Sequence, residues 1–124
     1  MNRKALEKLI QTCKGDSELL EIIQDALCSF EEYHSAIYSM EIRKQLLAGT
    51  ADVLQYQEEI GEMDRRRTLR HNAVISNISM LNRLADQAGL PPVYDGVISG
   101  EQPYRRQIAD AVLDYVREVI LSRP

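Results

Sequence analysis

The chain lacks several features that would place it in a specialised class. Among its 124 residues there is no tryptophan, and there are only two cysteines and two histidines. No run of 18 apolar residues occurs, so no membrane-spanning helix is predicted. The first 14 residues show neither the apolar stretch nor the cleavage site of a secretory signal. Cys13 and Cys28 form no zinc pattern, and without a signal they are expected to be reduced thiols of a cytoplasmic protein.

Glycine and proline are scarce as well, with six and four residues. The apolar spacing between them is helical, and no stretch alternates strongly with a period of two. A hydrophobic fraction of 44% and a charged fraction of 27% are ordinary for a globular domain, and the length fits one domain. The sequence therefore predicts an all-α fold, a four-helix antiparallel bundle in a single domain with two long central helices.

The helices are predicted at about 2–14, 17–48, 51–88 and 103–121, with a loop over about 89–102. Gly15, Gly49 and Gly89 follow the first three, as left-handed C-terminal caps do. Asp16 with Ser17 is the expected N-cap of the second helix.

The third helix contains Gly61, which interrupts its apolar pattern. Thr50 is the expected N-cap, with Asp52 in the first turn where the helix dipole favours an acid. A helix continuous through Gly61 is favoured over one that breaks there.

The two central helices are predicted to be about 48 Å and about 57 Å long, at 1.5 Å per residue. Each carries an apolar stripe over most of its length, and the two short helices cannot cover both stripes. Because exposed apolar stripes are uncommon on monomers, a twofold homodimer is predicted to bury the remainder.

Charge is segregated along the chain. Residues 16–64 hold twelve acidic and two basic residues, whereas residues 65–83 hold five arginines and no acid. The arginine run resembles a basic patch, but Glu62 lies one helical turn before Arg66 and the acidic second helix is expected alongside. With a pI near 5.2 and no nucleic-acid motif, internal charge matching is favoured over nucleic-acid binding.

Arg67 and His71 stand in the apolar stripe of the third helix. If the chain turns back at 49–50, the numbers of antiparallel neighbours sum to about 99. Arg67 is then expected near Glu32 and Tyr33, and His71 near Cys28. By the same register, His34 is expected beside Arg65 or Arg66.

A polar cluster is therefore predicted midway along the hairpin. Its members are Glu32, Tyr33, His34, Arg66, Arg67, Arg70, His71 and Asn72. One interpretation is an ion-pair network that sets the helix register. The other is a ligand site in which arginine binds a carboxylate or phosphate while histidine, tyrosine and asparagine orient it. No catalytic residue is assigned.

Two carboxylate motifs bear on metal binding. Glu31 and His34 form an E-x-x-H pair, but the second such pair that di-iron bundles use is missing. Glu58, Glu59 and Glu62 resemble the magnesium ligands of helical nucleotide pyrophosphohydrolases, whose partner E-x-x-D motif is absent. No metal or other cofactor is predicted, and an enzyme is not favoured.

A set of short motifs in the second half of the chain resembles one bacterial family. These motifs are Arg66, Arg70-His71-Asn72-Ala73, Ile75-Ser76, Leu81-Asn82-Arg83-Leu84-Ala85, Gly89-Leu90-Pro91, Arg105-Arg106, Ile108-Ala109-Asp110 and Tyr115-Val116. Over residues 65–120 they resemble a small family known only as a domain of unknown function. The resemblance implies a helical, cytoplasmic bacterial protein and supplies no activity.

These observations favour a non-enzymatic interaction or regulatory module that acts as a homodimer. A binder of a small anionic ligand at the Arg/His/Tyr centre is the first alternative. A metal-dependent nucleotide hydrolase is the second and is disfavoured.

Overall fold

A computed structural model of the chain describes residues 1–49 and 52–122, in which all regular secondary structure is helical and there is no strand. The helices are α1 (Arg3–Thr12), α2 (Ser17–Leu47), α3 (Val53–Gln87) and α4 (Gln102–Tyr115). A single wide π-helical turn, Val116–Ile120, extends α4, and the amide of Leu121 closes it on the carbonyl of Val116 at 2.9 Å. The all-α prediction is confirmed.

Side-chain caps begin three of the helices. The Asn2 carboxamide accepts from the amide of Ala5 at the start of α1. Asp16 accepts from the amides of Glu18 and Leu19, both at 3.1 Å, as predicted for α2. Thr50, the cap predicted for the third helix, lies outside the described residues, and Asp52 caps α3 instead of lying in its first turn.

Glycine ends two of the helices in the predicted manner. Gly49 and Gly89 have φ of 81° and 71°, which glycine adopts without the steric cost of a β-carbon. After α3, the Leu90 amide donates to Ala85 and the Gly89 amide to Asp86, which is a Schellman cap. The same prediction for Gly15 is wrong, because Gly15 is not among the residues with positive φ.

α2 and α3 form an antiparallel hairpin, and α3 passes through Gly61 without a break. Ion pairs join the two helices at Arg43–Glu59, 2.6 Å, and at Glu32–Arg70, 2.7 Å. Closer to the core, Asn77 donates to the hydroxyl of Ser29 at 2.7 Å. Partners on α3 therefore lie further along the chain than the predicted register placed them.

The hydrophobic core lies at the end of the hairpin away from the α2–α3 turn. Phe30 is at its centre and is fully buried. α1 contributes Leu6 and Leu9, and the largest fully buried residues from α3, α4 and its π-helical turn are Val74, Ile78, Leu81, Ile108, Val112 and Val116. Except for Val116, these side chains occupy the predicted apolar stripes, because a spacing of three and four places them on one helix face.

The connection between α3 and α4 packs against the core instead of standing free. Val93 and Tyr94 are buried in it. The Asn82 side chain bonds both the carbonyl and the amide of Tyr94, at 2.9 and 3.0 Å. The amide of Asn2 donates to the Val93 carbonyl at 2.7 Å, so this loop also holds the start of α1.

The far end of the hairpin is an arm, which consists of residues 38–49 and 52–66. α4 begins beside Ile37 and Arg67, so the arm extends past it. Met40 and Leu47 are buried in the arm, whereas Tyr38, Leu46 and Leu54 have 63%, 66% and 72% of their surface exposed. The arm thus presents large apolar side chains to solvent.

Candidate functional site

Two cavities flank the α2–α3 contact, one on either side. The inner pocket, about 430 Å³, lies where α4 packs on the hairpin. Its polar lining residues are Tyr33, Arg67, Thr68, His71, Gln102, Arg105, Arg106 and Asp110. The outer groove, about 760 Å³, lies on the opposite side and receives no residue from α4.

His71 is the buried polar residue of the inner pocket, with 6% of its surface exposed. Its ring meets that of Tyr33 edge-on, with centroids 5.4 Å apart. The Arg105 guanidinium donates to Nδ1 at 3.2 Å, and Nε2 lies 3.3 Å from the Arg105 carbonyl oxygen. A neutral ring protonated at Nε2 makes both bonds, donating through Nε2 and accepting through Nδ1.

The surroundings of His71 keep the ring neutral. Burial lowers the pKa of His71 below its ordinary value, and the charges of Arg105 and Arg67 lower it further, although the hydrogen bond with the Arg105 carbonyl acts in the opposite direction. Burial also raises the pKa of the Tyr33 hydroxyl, although the neighbouring Arg67 guanidinium acts in the opposite direction. Near neutral pH, therefore, both groups are uncharged and the arginines supply the positive charge of the pocket.

The lowered pKa of His71 makes the stability of the fold depend on pH. The unfolded chain protonates His71 near the ordinary value of about 6.5, whereas the folded chain resists protonation. The free energy of unfolding should therefore fall as the pH drops below about 6.5 and be fully retained above it. Urea denaturation across this pH range measures the slope.

His71→Gln is the matched variant, because it removes this titration and leaves His34 in place. Its free energy of unfolding should vary less with pH than that of the parent chain. If the free energy of unfolding varied with pH in the same way in the parent chain and in His71→Gln, His71 would not be the cause of the pH dependence.

The inner pocket carries an excess of positive charge. Arg67 bonds Asp64 at 2.8 Å, and Arg105 bonds the neutral acceptors His71 and Asn72. Within the described residues, neither Arg106 nor the lining carboxylate of Asp110 has an ion-pair partner. Three arginines therefore face one acid in the lining.

The outer groove separates acidic from basic residues. α2 contributes Glu31 and Glu32, and α3 contributes Arg66 and Arg70. Between them lie small or apolar side chains: Cys28, Ser35, Ala36, Ser39, Met63, Leu69 and Ala73. Only the Glu32–Arg70 pair crosses the groove among the ion pairs of the described chain.

The hairpin divides the predicted cluster between these two cavities. Tyr33, Arg67 and His71 line the inner pocket, whereas Glu32, Arg66 and Arg70 line the outer groove. Asn72 is exposed and accepts a hydrogen bond from Arg105. Successive residues of a helix point about 100° apart, so Glu32 and Tyr33, like Arg66 and Arg67, reach different sides of the hairpin.

Two of the predicted neighbours are wrong. His71 lies beside Tyr33 instead of Cys28, because α3 is shifted against α2 by about one turn. His34 stacks on Tyr38, with ring centroids 6.4 Å apart, one turn along the same helix. Arg65 and Arg66 pair with Glu62 on their own helix instead of meeting His34.

Arg105 and Arg106 are pocket residues that the sequence argument did not assign to the site. Both lie in the first turns of α4, where they follow Pro103 and Tyr104. Two adjacent arginines at a helix start were a visible signal. Their proximity to His71 depends on where α4 packs, which the local pattern does not encode.

Two of the carboxylates considered as metal ligands, Glu59 and Glu62, form ion pairs instead. Glu59 accepts from Gln55 and Arg43, and these bonds lower the pKa of its carboxyl. Arg65 bonds Glu62 at 2.5 Å and likewise lowers its pKa. Across residues 1–49 and 52–122, no three His, Cys, Asp or Glu side chains are grouped to hold a metal ion.

Comparison with known proteins places the chain in a family without assigning an activity. In the part of the chain that is described, no helix is both long and apolar enough to cross a membrane. Neither the curated proteins nor the solved structures contain a match. The family described as protein of unknown function (DUF3232) matches residues 1–122, well beyond the half of the chain that suggested a resemblance. The chain is therefore a member of the DUF3232 family.

Proposed function

We propose that this protein is a non-enzymatic interaction module that forms a homodimer through its outer groove and arm. A cytoplasmic location in a bacterium, expected from the sequence, belongs to the same proposal. The observation that carries it is the row of exposed large apolar side chains along the groove and arm, which a folded monomer leaves in water.

Many of the exposed large apolar side chains lie on the outer-groove side of the hairpin and on the arm. Leu69 lines the groove and has 69% of its surface exposed. Tyr38, Ile42 and Leu46 follow one another at intervals of one turn on α2, and all three are exposed. Burial of such residues contributes about 25 cal/mol per Å² of apolar area, so covering the row favours association.

The charges of the groove suit a second copy of the same chain. A twofold axis along the groove would bring α2 of one subunit against α3 of the other. Glu31 has no ion pair within the described residues, and Arg66 has only a 3.6 Å contact with Glu62. Each is thus available to a residue of opposite charge on the second subunit.

The groove also permits close packing of helices. Ser35, Ala36 and Ser39 on α2 and Ala73 on α3 have short side chains. Two hairpins packed across this surface would form a four-helix arrangement between subunits, in addition to the four-helix bundle predicted within one chain. Each arm would then gain the apolar neighbours that α1 and α4 provide at the base.

Leu69→Glu should weaken dimerisation, because it places a charge in an apolar contact that occurs twice in a twofold dimer. The dissociation constant is expected to rise at least tenfold, which corresponds to about 1.4 kcal/mol. Sedimentation equilibrium measures it directly. Val97→Glu is the matched control, since Val97 is equally apolar and exposed but lies in the loop before α4.

A charge exchange identifies a second copy as the partner. Glu31→Arg and Arg66→Glu should each weaken self-association, because each variant opposes like charges across the twofold axis. An equimolar mixture should associate more strongly than either variant alone, since one subunit then supplies arginine and the other glutamate. A monomeric parent protein at all concentrations, or a mixture no stronger than its components, would refute the homodimer.

A further inference from the structure

The inner pocket combines several features of an anion site, and its location on the other side of the hairpin makes it independent of the proposed dimer. We propose that it binds a small molecule through a phosphate monoester group. Arg67, Arg105, Arg106 and the start of α4 supply the recognition.

The first feature is the N-terminus of a 14-residue helix at the pocket wall. α4 begins at Gln102, which lines the pocket, and no side chain caps its first turn. Amide groups at a helix start carry partial positive charge and bind phosphate in many proteins. In this protein Gln102, the first residue of α4, lines the cavity, while Pro103 in the same turn has no N–H to donate.

The second feature is the set of three guanidinium groups from two helices. Arg67 comes from α3, and Arg105 and Arg106 come from the first turns of α4. Arginine offers planar, forked donors that match phosphate oxygens in pairs. Arg105 is held in place by His71 and Asn72, so the pocket has one pre-oriented guanidinium.

The third feature is that the polar groups behind the arginines remain neutral. Both ring nitrogens of His71 are engaged by Arg105, and the Tyr33 hydroxyl keeps its proton near neutral pH. These groups shape and order the pocket without adding a negative charge or a free base. The arrangement favours binding of an anion over proton transfer to or from it.

The size of the pocket limits the ligand. A volume of about 430 Å³ lies within the range of small-molecule sites. Ile37, Ala109 and Leu113 add apolar surface to the lining beside the charged groups. The occupant is therefore a phosphorylated molecule with a compact organic part, up to about the size of a mononucleotide.

Calorimetric titration with AMP, inorganic phosphate and adenosine tests the site at constant ionic strength. AMP is expected to bind most tightly, inorganic phosphate more weakly, and adenosine not at all. Equal affinity for AMP and inorganic phosphate would assign the site to phosphate alone and overturn the organic part of the proposal. No binding of either at millimolar concentration would overturn the whole.

Arg106→Gln is the sharpest variant, because Arg106 is exposed and its loss should leave the fold intact. It should weaken AMP binding about tenfold, as expected for one charge-assisted contact. Arg83→Gln is the matched control, being an equally exposed arginine on α3 outside both cavities. An equal loss in both variants would indicate general electrostatic attraction and refute the pocket.

The Leu69→Glu variant separates the two proposals. It should bind AMP as the parent protein does, because Leu69 lines the outer groove and not the inner pocket. Lost AMP binding in this variant would show that the pocket requires the dimer and would contradict the independence proposed here.

Discussion

Replacing Phe30 with alanine should lower the free energy of unfolding by about 3–5 kcal/mol. Phe30 is fully buried at the centre of the core. Its ring meets that of Tyr115 edge-on, with centroids 6.5 Å apart, and so ties α2 to the end of α4. The variant would lose the stabilisation from burying the ring. It would also leave a cavity in which the neighbouring side chains lose their contacts with the ring, because a close-packed core closes such a cavity only in part.

Urea denaturation followed by circular dichroism measures this loss at a fixed protein concentration. Domains of this size are stable by about 5–15 kcal/mol, so the variant should keep its fold near neutral pH with little margin. Leu121→Ala is the control, because Leu121 is half exposed after the π-helical turn and should change stability by less than about 0.5 kcal/mol. Comparable losses in the two variants would contradict the position of the core.

Replacing Asn82 with alanine should cost about 2–4 kcal/mol, the second largest effect expected. The side chain bonds both the amide and the carbonyl of Tyr94 within a partly buried loop. Alanine would leave both backbone groups without these partners, and an unsatisfied buried group costs about 1–3 kcal/mol. The same loop bonds Asn2, so α1 should loosen as well.

Amide hydrogen exchange shows whether the loss is local to this loop. The Tyr94 amide should exchange much faster in Asn82→Ala, whereas amides in the middle of α2 should change only as far as global stability falls. Asn77→Ala is the matched control, because Asn77 bonds only the hydroxyl of Ser29, which also donates to the Ala26 carbonyl. A smaller loss in Asn82→Ala than in Asn77→Ala would refute the anchoring role.

Local features were predictable because they depend on neighbouring residues. The stripe from Ile23 to Tyr33 and that from Val74 to Ala85 are buried as their spacing indicated. The Asp16 cap and the ends of α2 and α3 at glycine follow from side chains and backbone within a few residues. Gly61 did not break α3, since one helical glycine costs only about 1 kcal/mol and packing against α2 offsets it.

The candidate site was predictable only in part. Arg67 and His71 were singled out correctly as polar residues in an apolar stripe, and Tyr33 is indeed beside them. The register was displaced by about one turn, because the prediction placed the turn at 49–50 and the helix start at about 51, whereas α3 begins at Val53. Because of that difference in register, the neighbour predicted for His71 was wrong. His34 likewise does not meet the arginines of α3 and stacks on Tyr38 of its own helix.

By itself, the sequence of this protein determined its helical class, the faces that its helices bury and several of their caps, because these follow from residue spacing over one or two turns. Only the tertiary structure decided that the charged cluster divides between two sides of the hairpin and that α4 brings Arg105 and Arg106 to His71. The rotation of each helix about its axis and the packing position of α4 depend on contacts between residues more than thirty positions apart, as in the Arg105–His71 bond. Local periodicity carries no record of those contacts.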